Sequence, residues 1–239
     1  MREHRRSPRV FIRPHPRNHN GAETLVLPGS FQKCSKGECS VTRAAFLDRD
    51  GVINQKPREG EYVTRWEDFH VLTGVAEGIA ILNRAGFSVI VVTNQRCIAK
   101  GLITEAELGN MHRRMTELLA KAGAIIDDTF YCPHEIEPVC ECRKPAPGML
   151  LNAARLRGID LSASWMIGDS DIDIEAGKNA GCRTVRLILD NEALDKAEPS
   201  STTRRHADIT ARSFLEAIRQ IFEREGVAIN SFSTTPTAI

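Results

Sequence analysis

Ala44-Ala45-Phe46-Leu47-Asp48-Arg49-Asp50-Gly51 is a short apolar run that breaks abruptly into two carboxylates, a guanidinium and a glycine. A continuous apolar run of strand length, without polar alternation, suits a central strand covered on both faces by helices. Sheets of that kind bind their ligands beyond the carboxyl ends of the strands, which is where Asp48 and Asp50 stand. Two carboxylates so spaced can share a divalent cation, or divide the duties of nucleophile and proton carrier. Asp and Gly are also ordinary turn formers, so the stretch by itself leaves a plain turn equally open.

Outward from this point the chain alternates between apolar runs and helical periods. That pattern predicts an α/β class, a Rossmann-like three-layer sandwich with a mainly parallel sheet. A helix is predicted over 75–85, with Val75, Ile79 and Leu82 on one face and Gly86 stopping it. A strand over 87–92 runs into Thr93-Asn94-Gln95. Thr104 with Glu107 makes a capping box, and Leu108, Met111, Met115, Leu118 and Leu119 give the next helix its apolar stripe up to Gly123. Further strands are predicted at 128–131, 164–167 and 184–189, and helices at 148–157, 172–179 and 211–225. The short connections 54–75 and 93–104 leave minimal or no material for a cap domain over the site.

The 239 residues, 41% hydrophobic, suffice for one domain, expected over 44–228. Residues 1–43 are rich in arginine and lack a hydrophobic period, which reads as a disordered or loosely attached basic leader. Residues 229–239, rich in Ser and Thr, read as a flexible tail. A formal net charge of +1 gives no global field for nucleic acid or anionic lipid, so no nucleic-acid partner is expected. No apolar run approaches membrane-spanning length. Cysteines clustered with a histidine, behind no signal-peptide pattern, favour a reducing cytoplasmic setting. A compact capless domain is expected to act as a monomer.

Three more polar groups follow apolar strands. Thr93-Asn94-Gln95 offers a hydroxyl, amides and backbone N–H groups for a phosphoryl oxygen. Lys144, in Arg143-Lys144-Pro145, offers a cation. Gly168-Asp169-Ser170-Asp171-Ile172-Asp173 gathers acids where a helix begins. Taken singly, each has a bland reading: a strand end, a solvated basic pair, and acids suited to the helix dipole. Cys132-Pro133-His134 and Cys140-Glu141-Cys142 are more specific, because three thiols and one imidazole are the donor set of a closed, structural tetrahedral zinc site. Charged neighbours, Glu135, Glu137, Glu141 and Arg143, argue against buried core cysteines. That loop leads directly into Arg143-Lys144, so zinc would organise these cations.

The order acid pair, Thr, Lys, acid cluster resembles the haloacid dehalogenase superfamily of phosphohydrolases, with all four of its motifs matched between Ala45 and about Leu189. The resemblance implies that Asp48 is the nucleophile and Asp50 the general acid and then base. It implies that Thr93 and Lys144 hold phosphoryl oxygens. Magnesium (Mg2+) would be bound by the Asp48 carboxylate, the Asp50 backbone carbonyl and Asp169, supported by Asp173. Within the superfamily, the Cys-x-His and Cys-x-Cys loop before Arg-Lys-Pro resembles the D-glycero-D-manno-heptose 1,7-bisphosphate phosphatases and the related histidinol-phosphate phosphatases, and implies zinc (Zn2+) on Cys132, His134, Cys140 and Cys142. Glu61-Tyr62-Val63 and Ile98-Ala99-Lys100-Gly101 are similar to segments of the heptose enzymes, whereas Arg96-Cys97 replaces their usual Ser-Gly, and Ser170 the Lys many carry. The implied substrate is a small phosphorylated metabolite, a sugar bisphosphate in the first reading and histidinol phosphate in the second. Asn94, Gln95, Arg96, Arg143 and Tyr62 are the candidate substrate-binding residues, Arg143 because its planar fork suits a second phosphate. A zinc-stabilised binding module with a repurposed site, and a phosphotransferase using the same covalent intermediate, are the alternatives in kind.

Overall fold

The structure is a computed structural model that describes residues 42–189 and 206–226; the tail at 229–239 and all but the last two residues of the leader lie outside the described residues. Among the described residues six strands form one sheet: β1 Arg43–Leu47, β2 Phe87–Asn94, β3 Asp128–Cys132, β4 Trp165–Gly168, β5 Arg183–Leu187 and β6 Ile209–Ala211. Their order is β3-β2-β1-β4-β5-β6, and every pairing is parallel. The helices are α1 Val75–Arg84, α2 Glu105–Lys121, α3 Gly148–Arg157, α4 Asp171–Ala180 and α5 Phe214–Arg224.

Strand periodicity divides the core in two. Ala45 and Leu47 face a cluster with Ile79 and Leu82 of α1, Leu108 and Met115 of α2, and Phe214 and Ile218 of α5. Ala44 and Phe46 face the opposite cluster, with Met149 and Ala153 of α3 and Ala176 of α4. The result is three layers, with β1 buried on both sides. Each fully buried side chain of this size stabilises the fold by roughly 1.5–3 kcal/mol.

Several elements depart from the sequence expectation. β2 continues through Thr93 and Asn94, because parallel pairing with Tyr131 and Cys132 keeps the ladder intact to that point. Arg43 belongs to β1 and Thr42 bridges Ile159, so the ordered chain begins before Ala44. The helix expected from 211 begins at Phe214; Ser213 caps it by accepting from Glu216 N at 3.2 Å, and Ala211 ends β6, an edge strand too short to show a period. β5 stops at Leu187, two residues before the predicted limit. The connection between β1 and α1 holds a single 3-10 turn, Trp66–Asp68, and among the described residues no cap domain lies over the sheet.

Candidate active site

The central strands β1, β2 and β4 end together. Asp48 N donates to Ile167 O at 3.0 Å, which fixes the first residue beyond β1 against β4. Gly51 then turns the chain with φ +92°, and a Cβ there would lie 2.3 Å from Asp169 Oδ2. Only glycine permits this approach, so the first loop and the acid after β4 are in direct contact.

Lys144 reaches in from the loop before α3. Its Nζ donates to Asp48 Oδ1 at 2.7 Å and to Val92 O at 2.8 Å, and lies 2.7 Å from Asp173 Oδ1. Lys144 and Asp173 are almost fully buried. Burial works against the ammonium, but Asp173 and Asp48 outweigh it and hold the Lys144 pKa above the ordinary lysine value. Burial pushes Asp48 up to about 7; Lys144 opposes this, while Asp173, Asp50 and Asp169 add to it. Three carboxylates, Asp48, Asp169 and Asp173, bring oxygens within 4.8 Å of one another. One lysine does not neutralise three acids, and the exposed Lys56 supplies a second cation, 2.6 Å from Asp169 Oδ2. Burial still leaves the Asp169 pKa raised, with Lys56 offsetting part of it. Clustered hard oxygens short of positive charge fit a divalent ion such as magnesium.

Asp50 lives differently. Arg49 grips it through Nε at 3.1 Å and Nη2 at 2.9 Å, Asn54 Nδ2 donates to Oδ1 at 2.9 Å, and Gln95 Nε2 to Oδ2 at 3.1 Å. Burial alone would raise its pKa; Arg49 and the two amides more than reverse this and hold it below the usual carboxylate range. Gln95 Nε2 also donates to Thr93 Oγ1 at 2.9 Å, joining the buried hydroxyl to the same network. Asn94 closes a two-way clip on the Lys144 backbone: Nδ2 donates to Lys144 O, and Lys144 N donates to Oδ1, both at 3.1 Å.

On the same sheet edge, the thiol cluster has Cys132 Sγ 3.5 Å from His134 Nδ1 and 3.6 Å from Cys140 Sγ, and Cys142 Sγ 3.2 Å from His134 Nδ1 and 3.5 Å from Cys140 Sγ. These separations are far too long for a disulfide, and are close to the edges of a tetrahedron built on ligand bonds of roughly 2.0–2.3 Å. The hydrogen bond from Cys142 lowers Cys132 to about 5, while the same bond, with burial, raises Cys142. One sulfur ionises at its neighbour's expense, so a cation is needed for all three to become thiolates, and zinc fits this donor set.

A cleft of about 560 Å³ opens beside Asp50, lined by Lys56, Arg58, Tyr62, Asn94 and Gln95 among others. The residues singled out in the sequence thus separate into groups. Asp48, Lys144, Asp169 and Asp173 converge, with Asp50 and Thr93 beside them through Gln95. Tyr62, Asn94 and Gln95 line the cleft, although Gln95 is buried and both amides are engaged with the protein. Arg96 is paired with Glu135 of the cysteine loop at 2.5 Å, and Arg143 Nη1 donates to His134 O at 3.4 Å. Sequence reasoning missed Lys56 and Arg49. Lys56 sits in a loop without periodicity, far in sequence from Asp169, and nothing local signals the contact. Arg49 did carry a signal: a charge set between two acids at the end of a buried strand needs partners.

A model of the HAD-hydrolase-like family matches residues 141–217. The chain is 43% identical over 145 residues to a D-glycero-β-D-manno-heptose-1,7-bisphosphate 7-phosphatase of Rhodopseudomonas palustris, covering 58% of this chain and 79% of that one. It is 40% identical over 152 residues to the enzyme of the same name from Escherichia coli K12, covering 61% of this chain and 78% of that one. Among solved structures, the D,D-heptose 1,7-bisphosphate phosphatase of B. bronchiseptica, complexed with magnesium and phosphate, superimposes with a TM-score of 0.68 at 31% identity, over 77% of this chain and 99% of that one. The enzyme of Burkholderia thailandensis gives a TM-score of 0.55 at 26% identity, over 76% and 99%. With the acid and lysine cluster at the ends of a parallel sheet, these likenesses place the chain in the family of heptose 1,7-bisphosphate 7-phosphatases, phosphatases of the haloacid dehalogenase superfamily.

Proposed function

We propose that this chain removes the 7-phosphate of D-glycero-D-manno-heptose 1,7-bisphosphate by way of a phosphorylated Asp48. The observation that carries this reading is the buried Lys144 ammonium held between Asp48 and Asp173, with Asp169 alongside. An anionic carboxylate attacks an anionic phosphoryl group only where fixed positive charge offsets the repulsion. Lys144 supplies part of that charge and orients one Asp48 oxygen, leaving the other for phosphorus. Magnesium at the Asp48 and Asp169 carboxylates and the Asp50 backbone carbonyl, with Asp173 in support, would supply the rest.

In the first step a bond forms from Asp48 to phosphorus as the bond to the sugar oxygen breaks, and Asp50 protonates that oxygen. In the second, Asp50 takes a proton from water, which displaces the phosphate and frees Asp48. The Arg49, Asn54 and Gln95 bonds suit Asp50 as the base; the arriving phosphate anion raises its affinity for the proton it needs as the acid. Thr93 and Lys144 hold phosphoryl oxygens. Tyr62, Arg96 and Arg143, with Asn94 and Gln95 behind them, shape the site for the sugar and its second phosphate. Cys132, His134, Cys140 and Cys142 would hold zinc, which would organise the loop that carries Arg143. The names of the relatives favour heptose bisphosphate over histidinol phosphate. We place the enzyme in the cytoplasm as a monomer, with the residues before Thr42 a loosely attached leader, the phosphatase domain running from there to 228, and 229–239 a tail.

The test compares turnover of heptose 1,7-bisphosphate and histidinol phosphate, with magnesium present and omitted. The reading expects magnesium-dependent release of one phosphate from the heptose. Preference for histidinol phosphate, or beryllofluoride adducts that never form on Asp48, would overturn it.

A further inference from the structure

Arg49 is fully buried, and it meets the proposed chemistry only through Asp50. Its guanidinium spends Nε and Nη2 on Asp50. The remaining nitrogen, Nη1, points to helix α2, 3.3 Å from His112 Nε2 and 3.9 Å from Met111 Sδ. The Phe69 ring lies 5.9 Å from the guanidinium carbon. A guanidinium has donors only, so His112 Nε2 must accept, and the neutral ring carries its proton on Nδ1. His112 is itself buried, and its ring is tilted against Tyr131 with centroids 6.1 Å apart.

We propose that His112 is a positioning residue for the proton-transfer step: by anchoring Nη1 it sets the plane of the Arg49 fork, and the fork sets the plane of the Asp50 carboxylate. Removing the acceptor leaves a buried donor unsatisfied and frees the fork to turn about its remaining bonds. Met111 sulfur is too weak an acceptor to substitute. Asn54 and Gln95 still hold Asp50 from its other sides, so the carboxylate stays near the cleft but loses alignment. Both proton transfers of Asp50 are affected, donation to the leaving oxygen and removal from water; the second is common to every substrate, so only the first separates a poor leaving group from a good one, and attack by Asp48 keeps its geometry.

This inference rests on Asp50 being the acid, and leaving-group dependence separates the two. His112→Leu is expected to lower kcat/KM, which reports the steps up to departure of the leaving group, on the heptose bisphosphate, a poor leaving group, by roughly ten- to a hundredfold, part of the 10²–10⁴ that positioned proton transfer contributes. The kcat/KM of para-nitrophenyl phosphate, whose leaving group needs no proton, should stay within about threefold of the parent. His112→Gln, which keeps an acceptor, should restore the parent ratio between the two substrates. Should His112→Leu fail to fold, Arg49→Lys loses both the fork and the contact with His112 and reports the same ratio. Equal proportional losses on both substrates, or an unchanged ratio, overturn the positioning role. Asp50→Asn is the control: a shifted ratio there with none in His112→Leu sinks the inference alone, and no shift in Asp50→Asn sinks the acid role along with it.

Discussion

The acid cluster at the ends of β1 and β4 and the thiol cluster before α3 are both groups of anionic ligands, yet they are balanced in different ways. Asp48, Asp169 and Asp173 have two lysines among them, one buried and one exposed, both contributed by the chain. Cys132, Cys140 and Cys142 have one another and His134 within hydrogen-bonding reach, and among the described residues no ammonium or guanidinium hydrogen-bonds to these sulfurs. The carboxylate site is therefore partly self-supporting, whereas the thiol site draws no balancing charge from the described residues. On the reading proposed above, one metal would serve chemistry and the other folding.

The largest way to sharpen this contrast is Asp48→Asn. Turnover should fall by about 10⁴-fold or more, the scale seen when a nucleophile is removed, while thermal melting stays level or rises, because a buried anion among like charges has been removed. Melting curves beside turnover assays check both halves. Next comes zinc removal by a chelator, or Cys142→Ser. Stability should fall by on the order of 5 kcal/mol or more, read as a drop in Tm, with about one zinc per chain lost in metal analysis. An unchanged melting curve would end the claim that the thiol site is structural. Lys144→Met breaks the self-supporting side of the comparison: two buried carboxylates lose their partner, at a cost of about 3–5 kcal/mol by denaturant unfolding. Added magnesium should recover part of that loss. The smallest effect is expected at Lys56, largely exposed and seated on Asp169. Lys56→Ala removes a competitor for the cation, and titration calorimetry should show magnesium binding about two- to fivefold tighter, the range an exposed ion pair allows. Weaker binding would mean that Lys56 assists the metal.

Much of this was legible before any coordinates. The apolar run 44–47 ending in Asp48 identifies a central strand, and the structure buries it on both faces. The Thr104 and Glu107 capping box is formed as read. Strand-end acids, Thr93 and Lys144 could be picked out because each follows an apolar run, and a parallel sheet brings such ends together. The four members of the thiol cluster announced themselves by type and spacing, and the structure brings them together. Side-chain partners across the fold were not legible. Asn94, read as a ligand for substrate, also clips the backbone of Lys144, and Arg96, read as lining the mouth, also pairs with Glu135. Both depend on tertiary neighbours that no local period encodes. β6 was missed for a related reason: at three residues it owes its conformation to pairing with β5.

The Asn94 clip has a further consequence. The Lys144 main chain is tied to the side-chain amide of Asn94, the residue after Thr93, so the spacing of Thr93 and Lys144 is set by the sheet edge and not by the segment that precedes Lys144. The stretch between His134 and Cys140 can then lengthen, shorten or change composition over evolutionary time without displacing the ammonium. Divergence in what the enzyme accepts is thereby uncoupled from the cation it relies on.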